Sequence, residues 1–111
     1  MSLSIKLIND ILLLKIDTQR ATVELSSEFK KELKKQIEKG KTKIVVDLSD
    51  AEFMDSSFLG ALVTGLKQVR LKGGQLKIVG LQPPIGAMFE LTRMNRIFEI
   101  FYSVEDALKN F

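Results

Sequence analysis

The 111-residue sequence contains no cysteine, no histidine and no tryptophan, and only two prolines. Without cysteine there are no disulfides and no thiol nucleophile. Without histidine as well, the commonest zinc and haem ligands and the base of a catalytic triad are missing together. Long apolar runs are also missing. The longest, Ile11 to Leu14 and Phe58 to Val63, fall far short of the ~20 residues a membrane-spanning helix needs, so membrane insertion is not expected. Met1-Ser2-Leu3-Ser4-Ile5-Lys6 lacks a basic segment followed by an apolar one, which excludes a readable secretory leader and makes a cytoplasmic location the expectation. Charge is nearly balanced, with 17 Lys and Arg against 14 Asp and Glu. The lysines cluster on one expected helix with no aromatics between them, so nucleic acid is not an expected partner.

What is present suits one folded domain spanning residues 1–111. Hydrophobic residues make up 45% and charged residues 28%, the ordinary globular balance. Ser4 to Ile8 and Ile11 to Ile16 are strand-like runs joined by Asn9-Asp10, whose side chains tolerate positive φ, and they predict a hairpin. Leu25, Phe29, Leu33 and Ile37 recur every fourth residue and predict an amphipathic helix ending near Gly40. Its Lys30, Lys31, Lys34, Lys35 and Lys39 alternate with Glu28, Glu32 and Glu38, the pattern of a solvated face with i,i+4 ion pairs.

Ile44 to Leu48 reads as a central strand. A second helix starts at Ser56-Ser57 and runs to Leu71, and Lys72-Gly73-Gly74 leads to a strand over Gln75 to Val79. Pro83-Pro84 opens a third helix, for which Asn95 is the expected left-handed stop. A short strand over Phe98 to Tyr102 and a terminal helix capped by Ser103 complete the order ββαβαβαβα. This predicts an α/β fold with a mixed, mostly parallel sheet, an N-terminal β-hairpin and about four helices.

Asp47, Asp50 and Asp55 invite a metal or phosphoacceptor reading, but no acidic pair follows the first strand as a receiver domain requires, and turn and cap roles account for Asp50 and Asp55 and an ordinary strand position facing a polar neighbour for Asp47. No phosphate-binding glycine loop occurs. Ser56 and Ser57 lack the histidine or nearby lysine that would make a hydroxyl nucleophilic, so catalysis by this chain is not expected and no cofactor is called for. Phe53 to Gly60 remains distinctive: an acidic-serine turn entering a helix with small residues at Gly60, Ala61, Thr64 and Gly65. The interior glycines predict a close approach of another backbone, from the sheet or a partner. Phe58 has two readings, a half-exposed apolar anchor beside Ser56 or a ring turned under into the core.

Four features resemble the bacterial anti-sigma-factor antagonists of the STAS type: Asp47-Leu48-Ser49, the turn Met54-Asp55-Ser56-Ser57, Leu59-Gly60, and Lys72-Gly73-Gly74 before a strand. The resemblance implies a STAS-like fold and a partner-switching role. Such a protein binds an anti-sigma factor with serine kinase activity, is phosphorylated on the serine after the motif aspartate, here Ser56 with Ser57 secondary, and is reset by a phosphatase. Asp55, Ser56, Ser57, Phe58, Gly60 and Ala61 then form the partner-binding set. Two positions depart from the family pattern. Phe58 stands where glycine is usual, and Thr18-Gln19-Arg20-Ala21 stands in about the place of a Gly-Glu-Leu-Asp-like motif. The alternatives are a non-switching STAS subunit of a signalling scaffold or lipid-transport assembly, and a small-ligand-binding domain.

Overall fold

The computed structural model describes residues 2–111. Its first strands, β1 (Leu3–Ile8) and β2 (Ile11–Ile16), form the expected hairpin, with Ile8 opposite Ile11 and Asn9 at φ 57° in the turn. A two-residue strand, β3 (Arg20–Ala21), leads into α1 (Val23–Glu38), followed by β4 (Lys43–Asp47). Another two-residue strand, β5 (Phe53–Met54), enters α2 (Ser56–Leu71), and β6 (Gln75–Val79), α3 (Pro83–Leu91), β7 (Glu99–Phe101) and α4 (Val104–Leu108) follow.

The main sheet has the order β1-β2-β4-β6-β7, antiparallel within the hairpin and parallel elsewhere. β4 is therefore central, which explains why Ile44, Val45, Val46 and Leu48 are all buried with no polar alternation. The register sorts the faces. Leu12, Ile44 and Leu76 lie across from one another, as do Leu14, Val46 and Ile78, and these residues build the main core with Leu25, Phe29 and Leu33 of α1 and Leu62, Leu66 and Val69 of α2. On the other face Val45 and Val79 meet Ala107 of the short α4.

Several expectations need correction. Two extra strands, β3 and β5, pair in parallel as a separate ladder, too short to carry any periodic signal. The left-handed residue after α3 is Arg93 (φ 61°), and Asn95 lies inside a 3-10 turn over Met94–Arg96. The last strand of the sheet is shorter than predicted because Phe98 leaves the ladder to pack against Phe89, ring centroids 5.9 Å apart. The α1 lysines are exposed as expected, but none of them forms an ion pair among the described residues. A Cβ on Gly65 would overlap the Leu33 side chain and nothing stands near Gly60, so neither glycine accommodates another backbone. The close backbone approach is at Gly74, where a Cβ would overlap the Thr42 carbonyl and disrupt the entry of β6 beside β4.

Candidate functional site

The acidic-serine turn sits where β5 ends and α2 begins. Asp55 is the N-cap of α2: its backbone is extended (φ −93°, ψ 174°) and its Oδ1 accepts a hydrogen bond from the Phe58 N–H at 2.9 Å. That bond satisfies one of the amides that the first helical turn leaves without a backbone partner. Ser56 and Ser57 occupy the first two helical positions. Both are exposed, and neither hydroxyl makes a hydrogen bond among the described residues.

Two neighbouring segments fix the turn from behind. The Asp55 N–H donates to the Ala21 carbonyl at 3.1 Å, and the Glu52 and Phe53 N–H groups donate to the Gln19 carbonyl at 2.8 and 3.0 Å. The Thr18-Gln19-Arg20-Ala21 loop is therefore part of the same surface as the serines. The Arg20 guanidinium lies 4.4 Å above the centroid of the half-exposed Phe53 ring. On the other flank, Glu52, Phe53, Met54, Pro84, Ile85 and Met88 line a shallow groove of about 220 Å3 between β5 and α3. The Gln82 amide nitrogen ties the start of α3 to the Ser49 carbonyl at 2.7 Å.

The structure divides the six residues chosen from the sequence. Asp55 is half-buried, and Ser56, Ser57 and Gly60 are exposed. Phe58 and Ala61 face inward, with 0% and 1% of their surface exposed, so neither can touch a docked partner in this conformation. The Phe58 ring packs 5.2 Å from Phe29 of α1. The half-exposed anchor reading is thus wrong: three residues after the cap, the helix turns this position toward α1 and the sheet. The exposed ring of the site is Phe53, which lies before the turn. Its place in a two-residue strand gives no periodic signal, although its proximity to the serines could have drawn attention to it.

The carboxylates are accounted for locally. Asp47 accepts the Ser49 N–H at 2.9 Å, Asp50 lies 3.6 Å from Lys15, and Asp55 caps α2. No group of three or more potential ligands among the described residues is arranged to hold a metal ion. The same end of the molecule also carries Asp17, Glu24 and Glu52, opposed locally by Lys15 and Arg20, which gives the serine turn an acidic setting. The residues can present a hydroxyl to another protein's chemistry, and the adjacent Asp55 carboxylate is bonded to the Phe58 N–H rather than to either serine hydroxyl.

A family model described as the STAS domain matches residues 2–107. The chain belongs to the STAS domain family. A candidate anti-sigma factor antagonist from Thermotoga maritima is 30% identical to this STAS domain over 105 residues, 94% of this chain and 92% of that protein. The anti-sigma F factor antagonist of Paenibacillus polymyxa is 31% identical over 65 residues, 59% of this chain and 56% of that one. A crystal structure of a Thermotoga maritima candidate antagonist superposes with a TM-score of 0.90 at 28% identity, covering 97% of this chain and 92% of that one. Unphosphorylated SpoIIAA shares the fold, with a TM-score of 0.77 at 13% identity and coverage of 97% and 94%.

Proposed function

We propose that this STAS domain is an anti-sigma factor antagonist that works by partner switching, with Ser56 as the phosphorylated residue. The observation that carries the reading is an exposed, unbonded Ser56 hydroxyl at the first turn of α2, directly after the Asp55 cap. In this reading the unmodified turn docks on an anti-sigma factor that is also a serine kinase. The partner supplies ATP, magnesium and the base. The Ser56 oxygen attacks the γ-phosphorus of ATP, its proton passes to the partner's base, and ADP leaves. A phosphatase hydrolyses the ester to reset the domain.

The charge change explains the release. A phosphate carries about −1.5 to −2 near neutral pH. At the start of α2 it meets a favourable helix dipole and remaining free N–H groups, so the fold tolerates it. At an interface the same group must be desolvated beside the Asp55 carboxylate, and each ~1.4 kcal/mol lost weakens binding about tenfold.

Phosphopeptide mapping after incubation with the cognate kinase and ATP is expected to place the modification on Ser56, with Ser57 secondary. Calorimetric titration of the partner should show Ser56→Ala binding close to wild type and Ser56→Asp at least tenfold weaker, with unchanged circular dichroism. Modification confined to Thr42 or Ser103 would overturn the assignment. Equal affinities of the two variants would instead favour a non-switching assembly subunit that docks through Phe53 and the β5–α3 groove.

A further inference from the structure

The end of the molecule opposite the serine turn carries charge of the other sign. α1 and α2 pack side by side, and their last turns meet where β4 and β6 begin. There Lys34, Ile37, Glu38, Gln68, Leu71 and Lys72 line a shallow groove of about 280 Å3. Lys35, Lys39 and Lys67 are exposed on the same two helices and their caps, and Lys41 follows α1 half-exposed. None of these six lysines belongs to an ion pair among the described residues. Glu38 is the one carboxylate among the residues lining the groove; Glu32, hydrogen-bonded by the Gln36 amide at 2.7 Å, keeps its charge on the same helix, and Asp10 at this end of the sheet faces Lys43 and Lys41. Leu71, 85% exposed, projects from the middle of this cationic surface.

Helix dipoles account for one basic residue in each last turn, Lys35 and Arg70. They do not account for Lys67 or for a leucine left bare among cations, while Lys41 lies near enough to Asp10 to help hold its carboxyl below the ordinary value. We propose that this end docks on the surface of a bilayer rich in anionic phospholipid, with the lysines over the headgroups and Leu71 dipping among them. Basic side chains around an apolar tip are what an interfacial site needs, and attraction grows with each lysine brought within a Debye length of the surface. The groove contains no aromatic side chain on which a nucleic acid base could stack, which favours lipid over a single-stranded polynucleotide. Docked this way, the domain directs the Ser56 turn, at the far ends of the strands, away from the membrane. The proposal makes no use of Ser56 and stands apart from the switching function.

Co-sedimentation of the whole protein with phosphatidylglycerol/phosphatidylcholine vesicles tests it, against pure phosphatidylcholine vesicles and a single-stranded oligonucleotide. Binding is expected to the anionic vesicles only and to fall steeply with added salt. Lys34→Glu and Lys72→Glu should each lower the partition coefficient roughly tenfold or more, and Leu71→Ser should lower it with less change in salt dependence. All three positions are exposed, so the fold is expected to survive, as melting curves will verify. Equal partition to both vesicle types, no binding to either, unaffected variants, or tighter binding to the oligonucleotide would overturn the proposal.

Discussion

Phe58 and Ser56 sit two positions apart in one helical turn and have opposite fates, one ring fully buried and one hydroxyl fully available. Phe58 anchors the serine turn from beneath by filling the space between α1 and α2 against Phe29. Phe58→Ala should therefore destabilise the domain by about 3 to 5 kcal/mol, read as a lowered midpoint in denaturant unfolding. Partner affinity at a temperature where the variant is folded should change little, and a loss of affinity with unchanged stability would contradict the burial. Six residues, Asp55, Ser56, Ser57, Phe58, Gly60 and Ala61, came into view as a candidate partner-binding set through the family resemblance of the serine turn. Which of them face outward was not readable. The choice depends on the helix's rotation about its axis, set by Leu62, Leu66 and Val69 meeting a sheet that is distant in sequence.

The elements were more legible than their ends. Period-four apolar spacing located α1, a β-branched run located β4, the Lys72-Gly73-Gly74 helix end located β6 after it, and Asn9-Asp10 located the hairpin, because each signal is local. β3 and β5 escaped because a two-residue ladder depends on partners that only tertiary structure brings together. The same reason hid the burial of Lys77. It lies in β6 with none of its surface exposed, and its Nζ reaches Glu99 at 2.7 Å while passing 4.9 Å from the Phe111 ring centroid.

Two element-scale outcomes follow. Glu99→Ala strands a buried ammonium and should cost about 1 to 3 kcal/mol, below the full penalty of a buried pair because Glu99 itself is largely exposed to water. Lys77→Met removes the charge with its need for a partner and should cost less than Glu99→Ala; the opposite order of denaturation midpoints would refute this account. In the hairpin turn, the Lys43 ammonium hydrogen-bonds Asp10 at 2.9 Å and holds its carboxyl below the ordinary value of 3.8. A carboxylate with a depressed folded pKa favours the folded state above its unfolded pKa, and that contribution fades as pH falls through the lowered value. NMR titration of the Asp10 carboxyl should show a midpoint below 3.8 that returns toward it in Lys43→Met.

At the scale of the whole molecule, the strands' two ends have divided the labour of charge, acidic around the hydroxyls and basic around Leu71. Neither pole was visible in a net charge of +3: Lys34, Lys35, Lys39 and Lys41 are close in sequence, but Lys67 and Lys72 join them only when α2 packs beside α1. The β3–β5 ladder gathers the serine turn in the same way, holding the Asp55 amide on the Ala21 carbonyl across an intervening helix and strand. That amide cannot be sheltered until the first crossover has closed and β4 lies beside β2, which makes the serine turn a late product of folding. Its deuterium uptake should then be slow, following opening of the parallel sheet, whereas the amides of α4 exchange early. Rapid uptake at Asp55 alongside a protected Val46 would mean that the turn opens by itself. A slow one means that the turn keeps its docked shape for as long as the sheet stays closed, so under the proposed switching a partner that recognises that shape reads out foldedness as well as signal.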